Sequence, residues 1–294
     1  MLKLTDITIG YGSKKIITNV SETFTPGEVV GLVAPNGTGK STLLNAIMGQ
    51  VSLKQGQIEF KQSLTYKNQH SRRKIYRLVS MMPDQNDLYP ELTGWRHLKM
   101  YRGIWKAKGI DLKQLVKRLN MSHYVYQKVG SYSLGMKQRL CFAMQIACDT
   151  EIMLMDEVMN GLDPNNVELI SGLIDEKRQE GKTIIIASHL LENLSEYADR
   201  IFFIDNAQLE LFRDKRRQDE SIYLKLSTED FDTHAFNVDL SSVLRIDQFV
   251  LIDVTDADYR KLLLEECERY DIILYTIQHM ELQDAYKIKF ENQN

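Results

Sequence analysis

Ala34-Pro35-Asn36-Gly37-Thr38-Gly39-Lys40-Ser41-Thr42 is a phosphate-binding loop by its residue types and by its place in the chain. The apolar run Val29-Val30-Gly31-Leu32-Val33 before it reads as a buried strand, and Ser41 to Met48 after it reads as a helix. Strand, small-residue loop, lysine and paired hydroxyls form the layout that grips a triphosphate. Gly37 and Gly39 let successive backbone N–H groups turn toward phosphate oxygens, and the helix that follows aims its positive end at the same anion. Asn36, Gly37, Thr38, Gly39 and Thr42 belong to this cradle. Lys40 is expected to reach the β- and γ-phosphates, and Ser41 to offer its hydroxyl to Mg²⁺. The spacing G-x-x-x-x-G-K-[ST] puts its first glycine at the position of Ala34. Alanine resists positive φ, so the loop should enter this bend with ordinary backbone. The dinucleotide pattern G-x-G-x-x-G fails, because Thr42 stands where its third glycine belongs.

Further along, Ile152-Met153-Leu154-Met155-Asp156-Glu157 is an apolar strand ending in two carboxylates. One carboxylate at such a strand end can hold Mg²⁺, while its neighbour orients or deprotonates the attacking water. Between loop and strand, Tyr132-Ser133-Leu134-Gly135-Met136-Lys137-Gln138-Arg139 opens a helical apolar pattern that runs through Ala147, with Ser133 as its N-cap. A helix start bearing Ser and Gly is a second anion site, for which a one-site ATPase has no use.

These segments resemble the nucleotide-binding subunit of ABC transporters, whose L-S-G-G-Q signature is followed by x-Q-R. Tyr132, Leu134 and Met136 depart from the signature, while Ser133 and Gly135, the pair that the family sets on the γ-phosphate, are kept. The resemblance implies that Tyr11 stacks on adenine, Asp156 holds Mg²⁺ and Glu157 is the catalytic base. It also implies that Gly161-Leu162-Asp163-Pro164 is the D-loop along a dimer seam, and that His189 contacts the γ-phosphate from a strand end. The family expects a glutamine after a strand ending in proline. Here the run is Met81-Met82-Pro83-Asp84-Gln85, so either Asp84 or Gln85 fills that place beside Mg²⁺.

At 294 residues the chain has room for one large and one smaller domain. Its 37 basic and 40 acidic residues leave a formal net charge of −3, which excludes a general polyanion binder, and no nucleic-acid partner is expected. Cys141, Cys148 and Cys267 lack metal-ligand spacing; Cys141 and Cys148 share a helix face and read as core. No apolar run approaches the roughly 20 residues that span a bilayer, and Met1-Leu2-Lys3-Leu4-Thr5-Asp6 lacks the apolar core of a signal peptide. The chain is therefore expected in the cytoplasm, peripheral at the inner face of the cell membrane.

Strands alternating with helices around the loop predict an α/β phosphate-loop NTPase core of the ABC type over 1–214, with a mainly parallel sheet covered on both faces. Thr93 to Gly109, Asp111 to Asn120 and Ser133 to Cys148 read as helices of a lobe spanning about 84–150. The apolar strands of the core are placed at Ile152–Met155, Thr183–Ala187 and Arg200–Ile204. Asp214 to Ser221, charged and without apolar residues, reads as a linker to a small α+β appendage over 215–294. Its strands are expected at Ile222–Leu226, Phe249–Val254 and Ile272–Ile277, with helices at Asp258–Tyr270 and near Glu281. Met280-Glu281-Leu282-Gln283-Asp284-Ala285-Tyr286 resembles the close of drug- and peptide-exporter ATPases. Arg96, His97, Lys99, Arg102, Lys106 and Lys108 form a basic cluster in the lobe, read either as a solvated helix face or as a surface for a permease or headgroups.

The expected function is thus an ATP-binding and ATP-hydrolysing exporter subunit. A second ATPase subunit, identical or not, and a membrane permease subunit are its expected partners, with ATP and Mg²⁺ as cofactors. Lys40 of one subunit and Ser133 of the other would enclose one ATP, head to tail. The competing class is a soluble ABC-type ATPase of iron–sulfur assembly.

Overall fold

The computed structural model describes residues 1–61, 63–189, 191, 194–217 and 221–291. They divide into two compact units, Met1–Arg213 and Asp214–Asn294. Of the linker expected at Asp214 to Ser221, Gln218, Asp219 and Glu220 lie outside the described residues.

The first unit begins with β1 (Leu2–Tyr11), β2 (Lys14–Phe24), β3 (Val29–Val33), α1 (Lys40–Ile47), β4 (Leu53–Phe60), α2 (Gln69–Leu78) and β5 (Val79–Met81). Three helices follow: α3 (Gly94–Trp105), α4 (Leu112–Arg118) and α5 (Leu134–Cys148). The chain then returns through β6 (Ile152–Asp156), α6 (Pro164–Gln179), β7 (Thr183–Ser188), α7 (Leu194–Tyr197), β8 (Arg200–Asp205) and β9 (Gln208–Asp214).

The main sheet has the order β5-β6-β7-β3-β8-β9. The pairs β5–β6, β6–β7, β7–β3 and β3–β8 are all parallel. Every residue of β3 and β7 is buried, as strands covered on both faces require, which is why both read as unbroken apolar runs. In register, Val33 lies opposite Ser188 and Asp156 opposite Ala187. The chain segments that leave β3, β6 and β7 therefore emerge side by side along the carboxyl ends of the strands, where open α/β sheets bind ligands.

A second sheet, antiparallel, has the order β2-β1-β4. Its pairing slips register at several points, and Asp6 and Asn19 take left-handed φ of 47° and 50°. Such bulges break the period-two alternation that reveals a strand. Gly56, at φ 83°, passes so close to the Thr5 and Asp6 carbonyls that a side chain has no space.

Arg200, at the start of β8, ties the end of β2 to the parallel sheet. Its guanidinium donates to Glu28, to Glu22 Oε1 at 2.9 Å and to the Thr23 carbonyl at 2.7 Å, and lies over the rings of Phe24 and Phe202.

The lobe helices are capped by Thr93, Asp111 and Ser133, whose side chains accept N–H groups of the first turn. The helix expected to reach Gly109 stops at Trp105, because Lys106 turns left-handed at φ 54°. Trp105 donates its indole N–H to the Val79 carbonyl at 3.1 Å, anchoring α3 to β5. His97 does not belong to a surface basic cluster. It is fully buried, with Nε2 accepting the Tyr89 N–H at 3.0 Å and Nδ1 facing the Thr93 carbonyl at 2.9 Å. Arg96, Lys99, Lys106 and Lys108 are exposed. Cys141 and Cys148 are buried in α5, where desolvation pushes the Cys141 thiol up to about 12.

The second unit contains β10 (Tyr223–Ser227), α8 (Thr228–Thr233), β11 (Val243–Ile246), β12 (Phe249–Asp253), α9 (Ala257–Arg269), β13 (Tyr275–Gln278) and α10 (Leu282–Phe290). Its antiparallel sheet runs β11-β12-β10-β13. Leu224, Leu226, Val250 and Ile252 pack on Phe231, Leu263 and Cys267. The strand expected over Ile272–Ile277 begins three residues later, and Ile273 and Leu274 are instead 85% and 79% exposed. An apolar run marks a strand only where something covers it, and here hydropathy alone misplaced the start.

Candidate nucleotide-hydrolysis site

The loop of residues 34–39 leaves β3 and wraps the head of its own lysine. Lys40 Nζ donates to the Ala34 carbonyl at 2.6 Å and to the Pro35 carbonyl at 3.0 Å, and Thr38 Oγ1 donates to the Pro35 carbonyl at 2.8 Å. Ala34 is not among the left-handed residues, whereas Gly37 and Gly39 take φ of 80° and 119°. The alanine in place of the first motif glycine is therefore accommodated. Gly39 is the N-cap of α1 with no side-chain cap, so the first N–H groups of the helix stay available for an anion. A Cβ on Gly39 would lie 2.6 Å from Ile16 Cγ2 of β2, so glycine is required there by space as well as by φ. Burial lowers the Lys40 pKa, opposed by the nearby charges of Glu157 and Asp156. Asn36 and Gly37 are exposed at the loop tip, and Thr42 is half-buried in the first turn of α1.

The two carboxylates at the end of β6 have different surroundings. Asp156 accepts the Ser41 hydroxyl at 2.5 Å, which joins β6 to the first turn of α1. Its pKa is raised, chiefly by burial, with the Ser41 hydrogen bond working the other way. Glu157 turns left-handed at φ 51°, with its N–H on the Ala187 carbonyl at 2.8 Å, so its side chain leaves the strand line. Its Oε1 meets His189 Nδ1 at 2.8 Å, and its Oε2 accepts from Asn160 Nδ2 at 3.1 Å. Asn160 was missed by sequence reading. Its only signal is its spacing, three residues after Glu157 and just ahead of Gly161.

Asp84 and Gln85 part company. Asp84 caps a short turn by accepting the Asn86 N–H at 2.7 Å, and lines a cavity of about 420 Å³ together with Ser41, Asp156 and Glu157. Gln85 turns to the signature helix, where its amide donates to Gln138. Ser133 is exposed at the start of α5, and its Oγ accepts the Met136 N–H at 3.3 Å. Gly135 and Leu134 lie against Gly161, with Leu134 Cδ2 only 3.0 Å from where a Gly161 Cβ would be. Asp163 caps α6 through Asn166. Tyr11, 57% exposed, ends β1 at the β1–β2 turn, on the strand pair that touches the loop at Gly39.

Among the described residues no three His, Cys, Asp or Glu side chains converge to hold a metal by protein ligands alone. The Ser41 hydroxyl and the Asp156 carboxylate, with Asp84 on the same cavity wall, are hard oxygen donors of the kind Mg²⁺ takes, one or two carboxylates with the rest of the shell from water and substrate phosphates. A lysine-bearing loop at the head of a parallel sheet, a hydroxyl–carboxylate pair beside it and a second carboxylate held by His and Asn together define a phosphate-loop nucleotide hydrolase.

Comparison with known proteins narrows the class. The ABC transporter family profile matches residues 17–160. The lantibiotic transport ATP-binding protein SrtF of Streptococcus pyogenes is 31% identical over 204 residues, 69% of this chain and 86% of that protein. The bacitracin transport ATP-binding protein BcrA of Bacillus licheniformis is 28% identical over 84% of each chain. The uncharacterized ABC transporter ATP-binding protein YdbJ of Bacillus subtilis is 32% identical over 67% of this chain, which spans 64% of its length. Among solved structures, a dimeric bacterial ABC transporter cassette, MJ0796, is 25% identical with a TM-score of 0.62, covering 71% of this chain and 97% of that one. The dimeric post-hydrolysis form of that cassette, bound to ADP and Pi, shares the fold at a TM-score of 0.66 and 23% identity, covering 74% of this chain and 100% of that one. The chain belongs to the ABC transporter ATP-binding family and is an ATPase of that family.

Proposed function

We propose that this chain powers a separate membrane permease as the ATPase of an exporter, through ATP-driven head-to-tail pairing with a second ATPase subunit. Residues 1–214 are the ATPase domain in this reading, and 215–294 an appendage outside the catalytic set. SrtF and BcrA, by name a lantibiotic and a bacitracin transport protein, support transport as the work of this ATPase, and the likeness of residues 280–286 to the close of exporter ATPases supports the export direction. No helix among the described residues is long and apolar enough to cross a membrane. The chain would then work at the inner face of the cell membrane.

The observation that carries the reading is the exposed N-terminus of α5. Among the described residues the Ser133 hydroxyl meets its own cap partner, the Met136 N–H, and no other hydrogen-bond partner, and Gly135 sits in the first turn. Lys40, Ser41 and the 34–39 loop grip the nucleotide from one side, and Ser133 and Gly135 of a second subunit close on its γ-phosphate. Hydrogen bonds to charged groups contribute about 1.5–3 kcal/mol each, so a few per site bias an association equilibrium strongly. Tyr11 stacks on the adenine. Ser41 and Asp156, with Asp84 or Gln85, would hold Mg²⁺, which neutralises phosphate charge when bound. Glu157 accepts the proton of the attacking water, and His189, besides holding Glu157, contacts the γ-phosphate in this reading. Hydrolysis removes the γ-phosphate that both subunits share, and the pair opens.

Ser133→Arg and Lys40→Ala separate the two halves of the site. Ser133→Arg should abolish Mg-ATP-dependent pairing in sedimentation velocity while ATP binding to the single chain stays within about twofold. Lys40→Ala should weaken binding to the single chain by about tenfold or more, through loss of one charge-assisted contact. Equal loss of single-chain binding in both variants would refute the head-to-tail site.

A further inference from the structure

Gln138 is one of the few fully enclosed amides in the first unit, 3% exposed on α5 and one turn into the helix that Ser133 caps. Its Nε2 donates to two successive backbone carbonyls, Glu157 at 2.8 Å and Val158 at 2.9 Å. Its Oε1 accepts from Gln85 Nε2, next to Asp84 at the cavity wall. Among the described residues the other amide atom of Gln85, Oε1, is buried without a hydrogen-bond partner, so the bond to Gln138 is what orients this amide. Glu157 needs such support. It is a non-glycine residue in left-handed backbone at φ 51°, and the peptide that follows it has to be fixed from outside.

From this geometry we propose that Gln138 is a positioning residue for the hydrolysis step. It pins the backbone on the carboxyl side of Glu157 so that the carboxylate faces its water, and it links that backbone to the 83–85 segment through Gln85. The inference rests on Glu157 as the base. It adds that the signature helix acts on the base of its own subunit through Gln138, apart from any action of Ser133 on a partner's nucleotide. The hydrogen bonds of the Gln138 side chain go to Gln85, Glu157 and Val158 and not to the phosphate loop, so nucleotide affinity should not depend on it.

The test compares Gln138→Glu, Gln138→Met and Glu157→Gln in the full chain, measuring kcat and KM for Mg-ATP, fluorescent-nucleotide affinity and thermal midpoint. Gln138→Glu keeps the size of the side chain and its acceptor toward Gln85 but loses the donor to both carbonyls. Both Gln138 variants should lower kcat by about 10²-fold, the cost of displacing a reacting group by about an ångström, with KM and affinity within about twofold. A packing role predicts near-wild-type kcat in Gln138→Glu, and that result overturns the inference. Nucleotide affinity falling in step with kcat overturns it as well. Should Gln138→Met not fold, Gln138→Glu decides alone. Glu157→Gln keeps the failures apart: its inactivity beside active Gln138 variants removes this inference only, whereas near-wild-type turnover in Glu157→Gln removes the base assignment beneath it.

Discussion

Glu157→Gln probes the chemistry most directly, because the structure says what the substitution leaves in place. The residue is held by its N–H on the Ala187 carbonyl at 2.8 Å and by Gln138 on its own carbonyl, and neither contact involves the side chain. A glutamine can still accept from Asn160 and place its amide toward His189 Nδ1, so the shape of the site persists. Only the charge and the ability to take a proton are lost. A positioned general base contributes about 10²–10⁴-fold, or about 3–5 kcal/mol at 1.36 kcal/mol per decade. Phosphate release at saturating Mg-ATP should fall by that factor. The phosphate loop, Lys40 and Ser41 are untouched, and one negative charge near Lys40 is removed, so ATP binding should be no weaker. With binding intact and turnover blocked, the paired ATP-bound form should accumulate and elute early in size-exclusion chromatography. Turnover within about threefold of wild type would refute the reasoning, and another group would have to activate the water.

Arg200→Met removes the guanidinium that compensates Glu28, itself only 3% exposed, and should cost about 3–5 kcal/mol. Urea unfolding followed by the fluorescence of Trp95 and Trp105 reports this for the first unit, which holds both tryptophans; an unchanged midpoint would show that the ion pair is not needed. Gly39→Ala meets both φ 119° and the Ile16 side chain, and should weaken ATP binding about tenfold or more by calorimetry. A chain ending at Arg213 should keep single-chain ATP affinity within about twofold, since no candidate site residue lies beyond His189. Loss of binding by that shortened chain, once circular dichroism shows it folded, would place part of the site in 214–294.

Local chemistry made much of this chain legible in its sequence. The loop at 34–42 has to be followed by a helix because Lys40, Ser41 and Thr42 lead straight into apolar residues. Its glycines stand where φ has to be positive. The buried strands β3, β6 and β7 announce themselves as apolar runs for the same reason that they lie centrally in the sheet: both faces are covered. The bulged antiparallel sheet did not show, because each slip in register resets the alternation of side chains. The late start of β13 and the buried His97 escaped notice because hydropathy does not tell which face of an element meets a neighbour. The site divides in the same way. Lys40, Ser41, Asp156 and Glu157 were singled out by residue type in the loop and at a strand end, and His189 by the family resemblance alone. Asn160 reaches back from the turn after Glu157, and Gln138, although it stands in the x-Q-R that follows the signature, reaches across from α5; neither residue type tells which group its amide meets. The sequence by itself determined which groups could bind phosphate, metal and water. The packing of α5 against the end of β6 decided how Glu157 is held, because hydrogen bonds between distant segments exist only once the sheet has brought them together.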